Sequence, residues 1–152
     1  MSKQSGNIGA FLDAIAWSEG TTRVEGSDDG YNVLVGGTLF EGYQDHPRMR
    51  VHLRPGLDST AAGRYQLLSR YYDSYTKLLG LEDFGPEAQD QIAIQQIKER
   101  GAMPDVESGH FYVAIAKVRN IWASLPGAGY GQHENAMSDL AVAYFKAGGS
   151  VA

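Results

Sequence analysis

Glycines close the apolar periods of this chain, and that punctuation limits its fold more than any other feature. Glycine readily takes the left-handed conformation that ends a helix. Ile8, Phe11, Leu12, Ile15 and Ala16 recur at steps of three and four before Gly20, so residues 8–19 read as a helix. Leu67, Tyr71, Tyr75 and Leu78 share one side of a second helical segment, residues 65–79, that stops at Gly80. Pro86 has no amide hydrogen to lose and can open a third helix, which Gly101 closes. Residues 107–122, through Phe111, Ile115, Val118 and Ile121, predict a fourth, and residues 134–147 a last one before Gly148 and Gly149. Residues 21–30 are polar and read as a loop. The β-branched and aromatic run at residues 31–40, broken by Gly36 and Gly37, predicts a hairpin. Residues 44–59 hold two prolines and predict an irregular loop with one short strand at residues 50–53. The fold class expected is α+β, mainly helical with one small sheet.

A chain of 152 residues with 43% apolar content suits a single domain, residues 1–152, around one core. It has no cysteine, which excludes disulfides and thiolate metal centres. The net charge of −5 argues against nucleic acid as a partner, because binding a phosphate backbone relies on clustered Lys and Arg. A weakly charged polymer such as a polysaccharide remains permitted. The opening run MSKQSGN lacks the basic, apolar and small-residue regions of a secretory signal. No run approaches the roughly 20 apolar residues that span a bilayer, so no stable membrane association is expected.

Glu19 falls within the arc of the first helix occupied by Phe11, Leu12, Ile15 and Ala16. A carboxyl group turned toward apolar surroundings is desolvated, and its pKa rises toward the range of a general acid working near neutrality. The other reading is a glutamate at a frayed helix end, half in water and inert. Asp13 lies more than about 100° around the same helix and reads as solvated or structural. Ser18 is not set in a Gly-x-Ser-x-Gly elbow, so acyl transfer has no support.

Two further segments have chemistry suited to ligands. Residues 59–67, STAAGRYQL, combine small residues with Gln66, whose amide can donate to and accept from sugar hydroxyls and N-acetyl groups. The plain alternative is a loop entering a helix. Residues 126–132, PGAGYGQ, form a glycine-rich turn presenting Tyr130, which could stack on a sugar face or simply lie on the surface. His46 and His52 stand near Asp45, Arg48 and Arg50, yet no His-x-x-x-His or comparable metal-ligand spacing occurs. His110 and His133 read as helix-surface or capping residues.

The blocks AWSEG (residues 16–20), GYNVLVGG (30–37), DHPR (45–48), STAAGRYQLLSR (59–70), QQIKERGA (95–102) and NIWASLPGAGYGQ (120–132) together resemble the lambda-type endolysin family. The resemblance runs from Phe11 to about Gly149. It departs in the residue 21–29 loop, in the residue 106–118 helix and at the C-terminus, which bears on groove width and substrate preference.

The resemblance implies a lysozyme-like fold, with a helical lobe and a small β-sheet lobe flanking a glycan-binding groove. It implies a lytic transglycosylase cutting the β-1,4 bond between N-acetylmuramic acid and N-acetylglucosamine in peptidoglycan, with Glu19 as catalytic acid and base and no cofactor or metal. Ser59, Thr60, Arg64, Tyr65, Gln66, Tyr130 and Gln132 are the expected glycan contacts. A monomer is expected, made in the host cytoplasm and reaching periplasmic peptidoglycan through a membrane opened by a separate holin. The rival chemistry is a muramidase using water and a second carboxylate, with Asp28, Asp29 and Asp45 as candidates. A non-catalytic glycan-binding protein on the same fold is the rival from another class.

Overall fold

The computed structural model describes residues 6–152; residues 1–5, most of the run read above for a secretory signal, lie outside the described residues. The described elements are α1 (Gly6–Glu19), an antiparallel hairpin of β1 (Val51–Arg54) and β2 (Leu57–Ser59), α2 (Ser69–Leu79), α3 (Pro86–Glu99), α4 (Met103–Ser108), α5 (Phe111–Val118) and α6 (Met137–Lys146). This is the α+β class expected. None of the described helices is long and apolar enough to cross a membrane. The chain gathers into two compact units, one of Gly20–Ile92 and one of residues 6–19 with Ala93–Ala152.

The first unit is built around Leu34, Phe40, Ala62, Leu67, Tyr72, Phe84 and Ile92. Phe84 is its hub: Tyr72 meets it edge-on at 5.2 Å, Phe40 stacks at 6.2 Å and the His46 ring lies 4.8 Å away. Below the apolar cluster sits a buried polar one. Asp90 accepts hydrogen bonds from the hydroxyls of Tyr31 at 2.8 Å and Tyr65 at 2.6 Å, while the Arg64 guanidinium lies over both rings. Such a network is tolerated in a core because each polar group is paired.

The small sheet is not where the sequence places it. In residues 31–40 the expected hairpin is a tight turn with a single bridge, Val33 with Leu39, flanked by Leu34 N–H to Thr38 O at 2.7 Å and Phe40 N–H to Asn32 O at 2.9 Å. Leu34 bridges Ala62, and Val35 N–H donates to Ala61 O at 3.0 Å. The hairpin forms instead in the segment expected to hold one strand, turning at Pro55 and Gly56, with Gly56 at φ 76°. The second helix also starts later than expected, at Ser69 rather than at residue 65. Gln66 takes φ 55°, and Ala62 bridges Leu67, so the chain there is a tight loop. Thr60 Oγ1 accepts the Ser69 amide at 3.0 Å and serves as the helix's cap from outside.

In the second unit α1 is buried on nearly every side, and it packs against α6 and α4. Phe111 of α5 stacks on Tyr144 of α6 at 4.2 Å and meets Phe11 edge-on at 5.9 Å. The single fourth helix expected at residues 107–122 is two helices, α4 and α5. Gly109 separates them at φ 82°, with its amide closing α4 on Asp105 and Val106 carbonyls. A Cβ at Gly109 would stand 2.8 Å from the Ser150 carbonyl, so only glycine fits where the C-terminal segment crosses. The last helix begins at Met137 rather than at residue 134, because Glu134 and Asn135 are engaged in the loop before it.

Gly63 sits at φ 86°, and a Cβ there would fall 2.8 Å from the Phe84 ring. Gly63→Ala is expected to cost about 3 kcal/mol in chemical denaturation, from backbone strain and overpacking together. His46 is held as the neutral Nε2–H tautomer, since Nε2 lies 2.8 Å from Leu67 O and Nδ1 accepts the Arg48 amide at 2.9 Å. Burial, opposed by the Leu67 carbonyl and aided by the Arg48 charge, keeps its pKa below the ordinary 6.5. The stability it contributes is therefore complete above pH 6.5 and is lost as pH falls through the folded-state pKa. Melting temperature should drop more steeply from pH 7.5 to 5.5 in the wild type than in His46→Gln; parallel slopes would count against this.

Candidate active site

Glu19 is the last residue of α1, and Gly20, at φ 83°, stops the helix directly after it. Phe11, Leu12, Ala14, Ile15, Ala16 and Ser18 are all buried, so the helix delivers its terminal carboxyl into packed surroundings. The side chain keeps partial exposure. Desolvation raises its pKa from 4.5 to about 7, against the pull of hydrogen bonds from the Ser124 hydroxyl and the Ser124 amide. The helix C-terminus is the negative end of the macrodipole and also disfavours a carboxylate there. The result is an acid that is half-protonated near neutrality and still reachable, the two properties that general acid–base chemistry requires.

Ser124 Oγ donates to Glu19 Oε2 and lies 2.8 Å from Ser18 Oγ. Asn135 Nδ2 donates to Ser18 Oγ and to the Ser18 carbonyl, both at 3.0 Å, and Asn135 N–H donates to Ser124 O at 2.8 Å. Ser124 and Asn135 thus form the neck of the glycine-rich loop. Glu134 closes the loop above them, accepting the amides of Gly127 and Gly129 at 2.9 Å each, and these bonds hold its pKa below the usual carboxylate range. Tyr130 is 53% exposed, with its hydroxyl tied to the Asn120 carbonyl. Gln132 is exposed near the loop's end. Neither Ser124 nor Asn135 was singled out from the sequence. Ser124 lies inside a block of the family resemblance, but a serine before Leu-Pro carries no periodic or motif signal.

The other expected contacts belong to the first unit. Gln66 is half-buried, and its Nε2 donates to the carbonyls of Val33 at 3.1 Å and Gly63 at 2.9 Å. This fixes which end of the amide is the carbonyl oxygen and where it points. Ser59 and Thr60 are half-buried; Ser59 Oγ accepts the Ala61 amide, and Thr60 caps α2. Arg64 and Tyr65 are 3% and 5% exposed. Arg64 donates to Asp29 O at 2.9 Å and to the Tyr65 hydroxyl at 2.9 Å, so both side chains are scaffold. Their expected role as glycan contacts is corrected on that ground: a side chain enclosed and paired inside the unit has no free polar group to offer a sugar.

The remaining titratable candidates have structural partners. Asp45 and Asp73 bracket Arg48, which holds both carboxyls below their usual range. Asp28 accepts the Tyr43 hydroxyl at 2.7 Å, and Asp29 lies 3.6 Å from the Arg64 guanidinium. His52 pairs with Asp58 across the hairpin at 2.8 Å. His110 stands at the N-cap of α5, and His133 is exposed 3.4 Å from Asn135 Oδ1. Among the described residues no group of three His, Cys, Asp or Glu side chains gathers as a metal site would.

The chain has extensive relatives. The Endolysin family model matches residues 9–151. The endolysin of Escherichia phage lambda is 57% identical over 144 residues, covering 93% of this chain and 91% of the relative. The endolysin of Escherichia phage P2 is 47% identical over 154 residues, covering 94% and 93%. Among solved structures, bacteriophage lambda lysozyme complexed with a chitohexasaccharide matches with a TM-score of 0.95 at 54% identity. A second structure, of lysozyme from bacteriophage lambda, matches at 0.91 and 52%, and in both cases 100% of each chain is covered. Matched over nearly its whole length in sequence and fold, this chain belongs to the endolysin family.

Proposed function

We propose that the protein degrades bacterial peptidoglycan for host lysis, cutting the β-1,4 bond between N-acetylmuramic acid and N-acetylglucosamine without water. The observation that carries this reading is the Glu19 carboxyl, poised at a pKa of about 7 by burial, with Ser124 rather than a second acid bonded to it. Protonated Glu19 donates to the bridging oxygen as the glycosidic bond breaks and an oxocarbenium-like centre forms. The carboxylate then removes the proton from the muramoyl C6 hydroxyl, whose oxygen bonds to the anomeric carbon and closes a 1,6-anhydro ring. Glu19 ends protonated as it began, its first proton carried off on the leaving oxygen and its second taken from the C6 hydroxyl. The nucleophile is tethered within the same sugar, so proximity replaces the positioned water that hydrolysis requires.

One observation favours this route over a muramidase. The candidate second carboxylates Asp28, Asp29 and Asp45 each face a hydroxyl or guanidinium of their own unit. The raised pKa of Glu19 serves either route, since it suits a group that alternates between acid and base. Tyr130 and Gln132 are proposed as glycan contacts of the second unit, and Gln66, Ser59 and Thr60 as glycan contacts of the first. The relative solved with a chitohexasaccharide supports an N-acetylated glycan as the ligand class. Release to the periplasm through a holin-opened membrane, and action as a monomer, complete the proposal.

Glu19→Gln should fold and lose lysis by at least about a thousandfold in a turbidity assay, since the amide fills the same space and carries no transferable proton. Muropeptides released by the wild type should be lighter by one water than hydrolysis products; reducing ends alone would remove the transglycosylase reading. The raised pKa also has a stability cost whose sign is fixed. The folded state prefers the protonated acid, so the contribution of Glu19 is complete below pH 4.5 and is lost as pH rises through about 7. Glu19→Gln should therefore be more stable than the wild type at pH 8 by about 1 to 3 kcal/mol, with the gap closing toward pH 4.

A further inference from the structure

The Ser124 hydroxyl has one hydrogen, and Glu19 Oε2 receives it. Ser124 Oγ is then an acceptor toward Ser18, whose hydroxyl stands 2.8 Å away. Ser18 Oγ in turn accepts from Asn135 Nδ2 at 3.0 Å. The far end of this chain has a fixed polarity. Asn135 Nδ2 also faces the Ser18 carbonyl at 3.0 Å, which only accepts, so the nitrogen of the amide must point there. One hydrogen in each link, from Asn135 Nδ2 to Ser18 Oγ, from Ser18 Oγ to Ser124 Oγ and from Ser124 Oγ to Glu19 Oε2, therefore runs toward the carboxyl group. No charged side chain shifts Glu19; the causes are burial and Ser124. Titratable groups beside Asn135 are His133, exposed and 3.4 Å from Asn135 Oδ1, and Glu134, whose carboxylate is bonded to the Gly127 and Gly129 amides.

We propose that Ser124 is a positioning residue for the reaction: its hydroxyl, oriented by Ser18 and Asn135, holds the Glu19 carboxyl in one pose and stabilises the carboxylate left after proton donation. This inference rests on Glu19 being the proton donor. A carboxylate that loses a hydrogen bond is less stable, so the acid is weaker and its protonated form persists to higher pH. The rotamer is also released, and misplacement of a reacting group slows the chemical step. A purely structural serine would alter stability and leave the pH profile where it is.

The test is the alkaline limb of kcat/KM, measured on peptidoglycan by turbidity for wild type, Ser124→Ala and Ser124→Thr. Ser124→Ala should move that limb up by about one pH unit and lower kcat by about tenfold or more, with KM little changed. Ser124→Thr keeps the hydroxyl and should restore the wild-type limb. A folded, active Ser124→Ala with an unmoved or downward-moved limb overturns the role. If Ser124→Ala fails to fold, Ser18→Ala cuts the same chain one link back. A 13C titration of the Glu19 carboxyl should then show an upward shift, and an unchanged or lowered value overturns the proposal. Failure of the underlying reading looks different, because it requires Glu19→Gln itself to remain active.

Discussion

Burial around Glu19 and the hydrogen bonds from Ser124 pull the same carboxyl group in opposite directions, and the balance between them sets what the site can do. Burial favours the neutral acid and is the larger influence; the bonds favour the carboxylate. Together they leave it near 7. The rest of the second unit serves that balance. The closely packed α1 carries the residue to its position, Gly20 ends the helix before the carboxyl can turn outward, and the loop neck supplies the donors.

This arrangement opposes stability. An ionisable group held away from water at a helix C-terminus favours folding only in its neutral form, and near neutral pH it is partly charged. Sites of chemistry are where such local conflicts with the folding rules are expected. The unit compensates with aromatic packing of Phe11, Phe111 and Tyr144 and by tying its two ends together. Asn7 Oδ1 accepts both the Ser150 amide and hydroxyl, and the Tyr144 hydroxyl donates to Ser150 O.

The parts legible in the sequence were those set by local chemistry. The apolar period before Gly20 placed α1 and showed Glu19 on its buried arc, and Pro86 marked the start of α3. What could not be read depended on partners distant in the chain. Ser124 meets Glu19 across 105 positions, with no spacing rule to announce it. Arg64 and Tyr65 are residue types expected at a surface, yet Asp90 and the Asp29 carbonyl pair them inside. The ladder expected at residues 31–40 is cut short to one bridge, and Val33 and Val35 instead bond the backbone of Gly63 and Ala61, far along the chain. The hairpin at Pro55 and Gly56 was legible in principle, since that dipeptide is a turn signal between β-forming residues.

The glycine-rich loop has a closed base and an open end. Its base is the backbone bond from Asn135 to Ser124, and Glu134 gathers Gly127 and Gly129 above it. Residues 130–132 lie in the stretch that the Gly129–Glu134 bond spans, and the side chains of Tyr130 and Gln132 face outward from it. Exchange of an exposed side chain there leaves the Asn135–Ser124 base undisturbed, so the loop's outer face and its anchorage can vary independently of one another.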